Sequence, residues 1–284
     1  MVAPIVTLAT GEIVHPGYKL LKHLGRGGWG EVWKAVDQDG QYRALKFLPC
    51  SSQQVAHKEI RGLQSIRQLK HPYITDIEQV WADSGYIVIA MALAEGTLTD
   101  LFEVYYQEYN APPVAKVLLP FFEQVASALD FLNSRQHVIN GRRVAVRHCD
   151  IKPSNLLIFD QTLKVADFSL AVQTSSPMWY HERVGTMNFA APEVLRGWLS
   201  DRSDQYSLAV SYFQMRTGNL PYPPISKKQP DFYRNYVRPA PELSELETKA
   251  EQDVVGRALN PTPHDRWPSC EDFINELKSA CNVQ

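Results

Sequence analysis

From Tyr18 to Ala94 the apolar positions fall mostly in short runs rich in aromatic and β-branched residues, as β-strands do. Turn sequences such as Asp39-Gly40 and Asp83-Ser84-Gly85 separate these runs. One segment, around Val55–Leu69, instead places apolar residues three apart, which predicts a helix. The pattern therefore predicts a small sheet-rich lobe with one helix. Its strands are expected at Tyr18–Leu24, Glu31–Asp37, Tyr42–Leu48 and Tyr86–Met91.

The remainder of the chain has the apolar spacing of amphipathic helices. Over Val114–Arg135 the apolar residues recur at steps of three and four, which forms one stripe along a helix. Further helices are predicted over Asp204–Thr217 and Ser269–Ala280, with proline-rich turns between them. Residues 97–281 should therefore form a larger, mainly helical lobe.

A connector over residues 90–96 joins the two expected lobes, and residues 1–15 show no sustained period and are interpreted as a tail or clamp. A cleft between two unequal lobes is a natural place for a ligand. We therefore expect a ligand to bind between the small lobe and the large one.

Composition narrows the class of protein. The chain has 284 residues, of which 44% are apolar and 21% charged, which is typical of soluble globular proteins and excludes a mostly disordered chain. The net charge of −2 argues against a nucleic-acid partner. Four scattered cysteines argue against a disulfide scaffold and a zinc site. The longest apolar stretch, Tyr86–Ala94, is too short for a membrane span, and no signal peptide is visible. We expect a cytoplasmic protein, or a domain on the cytosolic side of a membrane if the chain is part of a longer protein.

A glycine-rich segment, Gly25 to Val32, contains the pattern G-x-G-x-x-G. Glycine lets a backbone approach phosphate groups closely because it has no Cβ. In dinucleotide-binding folds this pattern opens a helix, whereas Glu31–Val36 alternates like a strand, so that interpretation is rejected. Lys46 lies near the end of the next predicted strand. Its side chain is either exposed to solvent there or directs its ammonium group at phosphates. Glu59 is the one carboxylate between Phe47 and Thr75, which makes it the expected partner of Lys46.

The segment from Arg147 to Asn155 carries the most specific signal. It contains Asp150, Lys152 and Asn155 around a proline, which prevents a helix. This spacing is not typical of a structural motif, but it suits an active-site loop. Aspartate can accept a hydroxyl proton, lysine can neutralise a phosphoryl group, and an asparagine oxygen is a hard ligand for Mg²⁺. Asp167, twelve residues after Asn155, follows a strand-like run and is a second candidate Mg²⁺ ligand.

Downstream come Gly185-Thr186, Ala191-Pro192-Glu193, Ser203–Leu208 and His264–Trp267. In this order the motifs over residues 16–281 resemble a eukaryotic-type (Hanks-type) serine/threonine protein kinase domain. The stretch Asn133–Val146, which follows the helix predicted over Val114–Arg135, is longer than is usual in this family and contains Asn140-Gly141, a hairpin signal. In this it is similar to bacterial members of the family. The resemblance implies an α+β bilobal fold. Its N-lobe (16–92) would hold an antiparallel sheet and one helix, its hinge would lie at 90–96, and its C-lobe (97–281) would be mainly helical.

The resemblance also implies roles for individual residues. Asp150, Lys152, Lys46 and Glu59 would be catalytic, and Asn155 and Asp167 would bind the metal. Thr186 would brace the catalytic loop, Glu193 would pair with Arg266, and Asp204 would hold the loop backbone. His148, Phe168 and Leu63 would belong to an apolar spine. The implied ATP-binding set is Gly25, Gly27, Gly28, Gly30, Val32, Ala44, Lys46, Ile89, Ala90, Ala92, Asn155 and Asp167.

The implied reaction is transfer of the γ-phosphoryl group of ATP to serine or threonine hydroxyls of a protein substrate, with Mg²⁺ or alternatively Mn²⁺. Lys152, two residues after Asp150, is typical of the serine/threonine branch. The resemblance leaves a homodimer open.

Two departures from the family pattern motivate the alternative of a pseudokinase that acts as a nucleotide-binding signalling scaffold. Cys149 replaces the arginine that normally helps to bind an activation-loop phosphate, and Gln173 supplies no charge nearby. We therefore expect activity without activation-loop phosphorylation, although Thr174, Ser175, Ser176 and Tyr180 are candidate sites. Ser169 replaces the glycine of Asp-Phe-Gly, which costs roughly 1–2 kcal/mol if that position needs a left-handed backbone. We expect Ser169 to tune switching and leave the chemistry intact.

Overall fold

The computed structural model describes residues 8–27, 30–180, 185–225 and 236–283. The chain divides into two compact units. The N-terminal unit contains the residues up to Lys70 together with Ile74–Glu95, and the C-terminal unit contains His71–Tyr73 and the residues from Gly96 onward.

The N-terminal unit is built on a six-stranded sheet in the order β1-β2-β3-β4-β6-β5, in which every neighbouring pair is antiparallel. The four predicted strands are confirmed as β2, β3, β4 and β6. The pattern missed β1, which lies within the segment interpreted as a tail, and β5, an edge strand without clean alternation. The bounds are β1 Ile13–Val14, β2 Tyr18–Gly27, β3 Gly30–Val36, β4 Tyr42–Pro49, β5 Ile77–Asp83 and β6 Tyr86–Ala92.

Helix α1, Gln53–Arg67, confirms the helix predicted in this unit and packs along β5 and β6. It begins at the Ser52 cap, whose hydroxyl accepts a hydrogen bond from the Val55 amide at 3.3 Å. Leu63 and Ile66 are buried, which is the burial that their three-residue spacing predicts. The helix is therefore held to the sheet by its apolar stripe.

The C-terminal unit is mainly helical. The predicted helices are confirmed as α3, α5 and α7, and the buried stripe of α3 packs against α5 and α7. The sequence pattern missed α2, which begins at a capping box between Thr97 and Asp100, and α6. The helices described are α1 and then α2 Leu98–Tyr109, α3 Ala115–Asn133, α4 Pro192–Leu195, α5 Ser203–Thr217, α6 Lys249–Ala258 and α7 Cys270–Ala280.

Short antiparallel strands complete this unit, in the groups β11-β10-β7, β12-β9-β8 and β13-β14. Asn140 and Gly141 have φ angles of 50° and 75°, as a two-residue hairpin turn requires, so the predicted hairpin is confirmed between β8 and β9. The strands are β7 Gly96–Thr97, β8 His137–Ile139, β9 Arg142–Arg147, β10 Leu156–Phe159, β11 Thr162–Val165, β12 Val172–Thr174, β13 Met178–Tyr180 and β14 Trp198–Ser200.

Candidate active site

A row of residues expected to bind nucleotide crosses the sheet of the N-terminal unit. Val32 on β3 pairs with Lys46 on β4, and Lys46 pairs with Ile89 on β6. Gly25 on β2 pairs with Val32, and Ala44 lies two residues before Lys46, so all five share one face of the sheet. The register therefore brings these five residues together.

The two expected hinge residues, Ala90 and Ala92, are not part of this row. Ala90 is adjacent to Ile89 in the strand, and its side chain belongs to the apolar core on the opposite face of the sheet. Ala92 pairs with Arg43 at the end of β6 and is half-buried. Contact from Ala90 to a ligand on the Lys46 face would therefore use its backbone.

The glycines of the G-x-G-x-x-G pattern differ in their surroundings. Gly30 has a φ of 152°, and a Cβ there would lie 2.0 Å from the carbonyl oxygen of Phe47, so only glycine fits. A Cβ on Gly25 or Gly27 would meet no atom within 4 Å, so these two are not required by packing. Gly28 lies outside the described residues.

Lys46 and Glu59 are the two charged residues that the sequence pairs in this unit. Lys46 is only 8% exposed, which is unusual for a lysine and argues against the solvated strand end. Glu59 is half-buried on α1, the helix that packs along the sheet. The pairing of Lys46 with Glu59 stays a prediction.

In the C-terminal unit, Asp150 is the centre of a hydrogen-bond cluster and is 4% exposed. Its Oδ1 accepts the Thr186 amide at 2.7 Å, and its Oδ2 accepts the Asn155 side-chain amide at 2.9 Å. The Lys152 Nζ lies 2.9 Å from Oδ2 and also donates to the Thr186 hydroxyl at 2.6 Å. The structure thus brings Asp150, Lys152 and Asn155 together, and Thr186 braces the loop as the resemblance implied.

The charge of Asp150 follows from this cluster. Burial alone would raise the pKa of the carboxyl group, but the Lys152 ammonium and the hydrogen bonds from Lys152 and Thr186 outweigh burial and hold the pKa below its usual range. Asp150 is therefore ionised at neutral pH, as a group that accepts a hydroxyl proton must be.

Asn155 and Asp167 supply oxygens suited to a magnesium ion. The Asn155 side-chain nitrogen donates to the Asp150 carbonyl at 2.8 Å and to its carboxylate, which turns the nitrogen away and leaves Oδ1 for a metal. The carbonyl of Asn155 accepts the Ala166 amide at 2.9 Å, which holds Asp167, the next residue, close to this loop. Mg²⁺ typically takes one or two protein oxygens together with phosphate oxygens and water, so these residues fit the ion.

Hydrogen bonds fix the segment from Arg147 to Asn155, which is the expected catalytic loop. Asp204, at the start of α5, accepts the His148 and Cys149 amides at 2.8 and 2.9 Å. The His148 ring bonds the carbonyl of Ala166 at 2.8 Å and contacts the ring of Phe168 edge to face, with centroids 4.9 Å apart. The implied roles of Asp204, and the contact between His148 and Phe168, are confirmed. Leu63 is buried on α1 in the other unit.

Near Asp167-Phe168-Ser169, the residue with a left-handed backbone conformation is Asp167 and not Ser169. Asp167 has a φ of 68° and begins a 3₁₀ turn over Phe168–Leu170, whereas Ser169 has no positive φ. The strain considered for Ser169 therefore does not arise. Its hydroxyl instead donates to Asp167 Oδ1 at 2.7 Å.

The predicted pairing of Glu193 with Arg266 is confirmed. The two guanidinium Nη atoms donate to the two carboxylate oxygens, each at 2.8 Å, in a buried bidentate pair. Burial would raise the pKa of Glu193, but hydrogen bonding and the charge of Arg266 hold it below its usual range.

Sequence reasoning missed Arg238, which donates to the carbonyls of Met187, Asn188 and Ala190 beside Thr186. Arg238 lies 51 residues from Met187 in an unpatterned segment, so no local signal pointed to it.

Known proteins resemble this chain over almost its full length. Residues 18–278 match the family model described as "Protein kinase domain". Serine/threonine-protein kinase PknF of Mycobacterium tuberculosis is 30% identical over 92% of this chain and 56% of that protein. Serine/threonine-protein kinase PrkC of Bacillus subtilis is 28% identical, over 95% of this chain and 41% of that protein. CBL-interacting protein kinase 4 of rice, Oryza sativa subsp. japonica, is 29% identical over 90% of this chain.

The chain spans 41–56% of the length of these curated relatives. Along the described part of the chain, no helix has both the length and the apolar content that a bilayer span requires.

Proposed function

The chain belongs to the protein kinase family and has the bilobal kinase fold, and on that premise we propose that it transfers the γ-phosphoryl group of ATP to serine and threonine hydroxyls of protein substrates. The observation that carries this proposal is the buried, ionised Asp150 with Lys152, Asn155 and Thr186 bound around it. Burying a charged carboxylate lowers the stability of the fold unless a cation or hydrogen bonds compensate for the lost hydration. Here the compensating cation is Lys152, which is itself a candidate for phosphate binding.

In this proposal Asp150 orients the substrate hydroxyl and accepts its proton. Lys152, whose ammonium lies 2.9 Å from that carboxylate, neutralises charge that develops on the transferring phosphoryl group. Thr186 keeps both groups in place through its amide and hydroxyl. Most of the rate enhancement then comes from positioning and charge neutralisation, as is usual in phosphoryl transfer.

Asn155 and Asp167 would hold Mg²⁺, with Mn²⁺ as an alternative. The ion, when bound, supplies positive charge to the phosphate oxygens. The Asn155 nitrogen bonds described above orient its oxygen for this task, and Ser169 restrains one oxygen of Asp167. Both ligands are thereby preorganised.

The N-terminal unit would bind the nucleotide through the residues on the Lys46 face of its sheet. Lys46, with Glu59 as partner, would hold the α- and β-phosphates, and Gly25, Gly27, Gly28 and Gly30 would cover them. Val32 and Ala44 would pack on the adenine, Ile89 would be the gatekeeper residue, and the backbone of Ala90 and Ala92 would hydrogen-bond the adenine. The shared face of Gly25, Val32, Ala44, Lys46 and Ile89 supports this assignment.

Serine and threonine are the proposed acceptors because Lys152 follows Asp150 by two residues and because the bacterial relatives are named serine/threonine kinases. A location in the cytoplasm, or on the cytosolic side of a membrane, and protein partners instead of nucleic acid belong to the same proposal and rest on the sequence, which leaves a homodimer open.

The test is phosphoryl transfer by the purified chain. With Mg²⁺ and labelled ATP, the wild-type chain should label itself or histone as a generic basic protein. Asp150→Asn should lower turnover by at least about a thousandfold with little change in ATP affinity, because it removes the proton acceptor. Lys46→Met should impair both turnover and ATP affinity. Asp167→Asn should abolish labelling.

Asp39→Asn, a matched change at an exposed turn, is the control and should behave as wild type. Binding of ATP without any labelling would support the scaffold alternative and overturn the proposal. Near-normal turnover of Asp150→Asn would overturn the role of that residue.

A further inference from the structure

The five-residue turn 186–190 is held by one arginine from a distant segment. Arg238 Nη2 donates to the carbonyls of Met187 at 2.7 Å and Ala190 at 2.9 Å, and Nη1 donates to that of Asn188 at 3.4 Å. The carbonyl of Thr186 accepts amides within the turn, and that of Phe189 accepts the Ser207 hydroxyl. Arg238 therefore binds three of the five carbonyls of this turn.

Two buried tyrosines set the position of the guanidinium. Its Cζ lies 4.8 Å from the ring centre of Tyr222 and 5.9 Å from that of Tyr206. The two rings are parallel to within 7°, and their hydroxyls hydrogen-bond at 2.7 Å. A guanidinium stacks well on aromatic faces, so the pair forms a rigid support.

The Nε of Arg238 is buried and has no hydrogen-bond partner in the part of the chain that the structure describes. A buried donor without a partner lowers the stability of the folded state. The Nη hydrogen bonds and the stacking on the tyrosines must therefore outweigh this cost and hold the side chain here. A lysine has no planar fork and could not bind three carbonyls in the same way.

The other end of the turn is attached to the catalytic carboxylate. Thr186 donates its amide to Asp150 Oδ1 and accepts from Lys152. A Cβ on the preceding Gly185 would lie 2.2 Å from the Cys149 carbonyl oxygen, so the chain enters the turn directly against the catalytic loop. The turn is thus fixed by Asp150 on one side and by Arg238 on the other.

A substrate hydroxyl that approaches Asp150 must bring its own backbone close to Thr186. The neighbouring substrate residue, one Cα step of about 3.8 Å away, then lies against the turn. We propose, resting on the proposed kinase function, that Arg238 is a positioning residue that shapes the surface of the 186–190 turn and thereby sets the affinity for protein substrate, without contacting ATP.

The test compares Arg238→Met and Arg238→Lys with Arg202→Met. Arg202 is a matched control because its Nη1 also bridges three carbonyls, those of Pro263, His264 and Arg266, away from the turn. Histone and ATP are varied separately. Arg238→Met should raise the KM for histone about tenfold, while the KM for ATP changes less than about twofold. Arg238→Lys should raise the histone KM by about threefold, because it restores a cation but not the fork.

Hydrogen exchange provides a readout that does not require phosphoryl transfer. The amides of the turn should exchange faster in Arg238→Met and Arg238→Lys than in the wild type, while α3 and α5 keep their protection. If the wild type transfers no phosphate, the proposed function fails, and this measurement still decides whether Arg238 fixes the turn.

Unchanged exchange in the turn would overturn the inference. So would a loss of kcat with an unchanged histone KM, or an equal rise in that KM in Arg202→Met. Should Arg238→Met fail to fold, Arg238→Lys carries both measurements.

Discussion

Ser169 shows how one residue that departs from a family pattern is accommodated. The structure places the left-handed backbone at Asp167, two residues earlier, and Ser169 in the 3₁₀ turn that follows. Serine is compatible with that turn, and its hydroxyl donates to Asp167 Oδ1 at 2.7 Å. The replacement of glycine therefore adds a contact to a proposed metal ligand and costs no left-handed strain.

We expect Ser169→Ala to weaken binding of the Mg²⁺–ATP pair by about five- to tenfold, because Asp167 loses a hydrogen bond to a charged group. Ser169→Thr should restore most of it, since the hydroxyl is kept. The measurement is the Mg²⁺ concentration that gives half of the ATP-dependent rise in melting temperature. Equal Mg²⁺ requirements in the wild type and Ser169→Ala would show that the hydroxyl does not position Asp167.

At the scale of single elements, helix α4 is held in place by an ion pair with a residue from a distant part of the chain. Glu193 in α4 is bound by Arg266, which follows the 3₁₀ turn Pro263–Asp265, and also accepts the hydroxyls of Ser200 and Ser203. Both oxygens of this carboxylate therefore accept hydrogen bonds, and all four of these bonds are buried.

Arg266→Met should lower the free energy of unfolding by about 3–5 kcal/mol, because it leaves the Glu193 carboxylate buried without its cation. The folded-state pKa of Glu193 is lowered, so its stabilising contribution is present above its ordinary pKa and is lost as the pH falls through the folded value. Urea unfolding at about pH 7 and about pH 4 measures both effects.

Lys249→Met, on the exposed surface of α6, is the control and should change the unfolding free energy by less than about 0.5 kcal/mol. An Arg266→Met protein as stable as the wild type at neutral pH would contradict the assignment.

At the scale of the whole molecule, two strand pairs hold the described residues between Ser169 and Tyr180. Strand β12 pairs with β9, and β13 pairs with β14, through backbone hydrogen bonds. The thiol of Cys149 donates to the Arg147 carbonyl at 3.5 Å, and burial raises the pKa of this thiol, so it offers no charge to a phosphate. Thr174, one of the candidate phosphorylation sites, is itself buried.

We therefore expect phosphatase-treated and untreated protein to have turnover numbers within about threefold of each other, because the β ladders already hold the segment. Mass spectrometry of both samples verifies that the phosphate has been removed. A large loss of turnover on treatment, reversed by pre-incubation with Mg²⁺–ATP, would reject the hypothesis.

Local signals in the sequence were enough to predict the type of many elements and the residues of the proposed chemistry. The stripe of Val114–Arg135, the Asn140-Gly141 hairpin and the spacing of Asp150, Lys152 and Asn155 are all set within a few residues, where periodicity and turn chemistry act. Strand β5 was missed because its residues do not alternate cleanly between buried and exposed. Helices α2 and α6 begin at Thr97 and Thr248, each with an acidic residue three positions later, a local start signal that apolar spacing alone does not detect.

Contacts between distant positions depended on the folded chain. Thr186 reaches Asp150 across 36 residues and Arg238 reaches Met187 across 51, separations over which side chains leave no local pattern. The fold also placed the left-handed backbone at Asp167, because the bonds of Asn155 and His148 to Ala166 fix the chain just before it. The sequence determined which reactive groups are present, and tertiary packing determined which of their atoms are in contact.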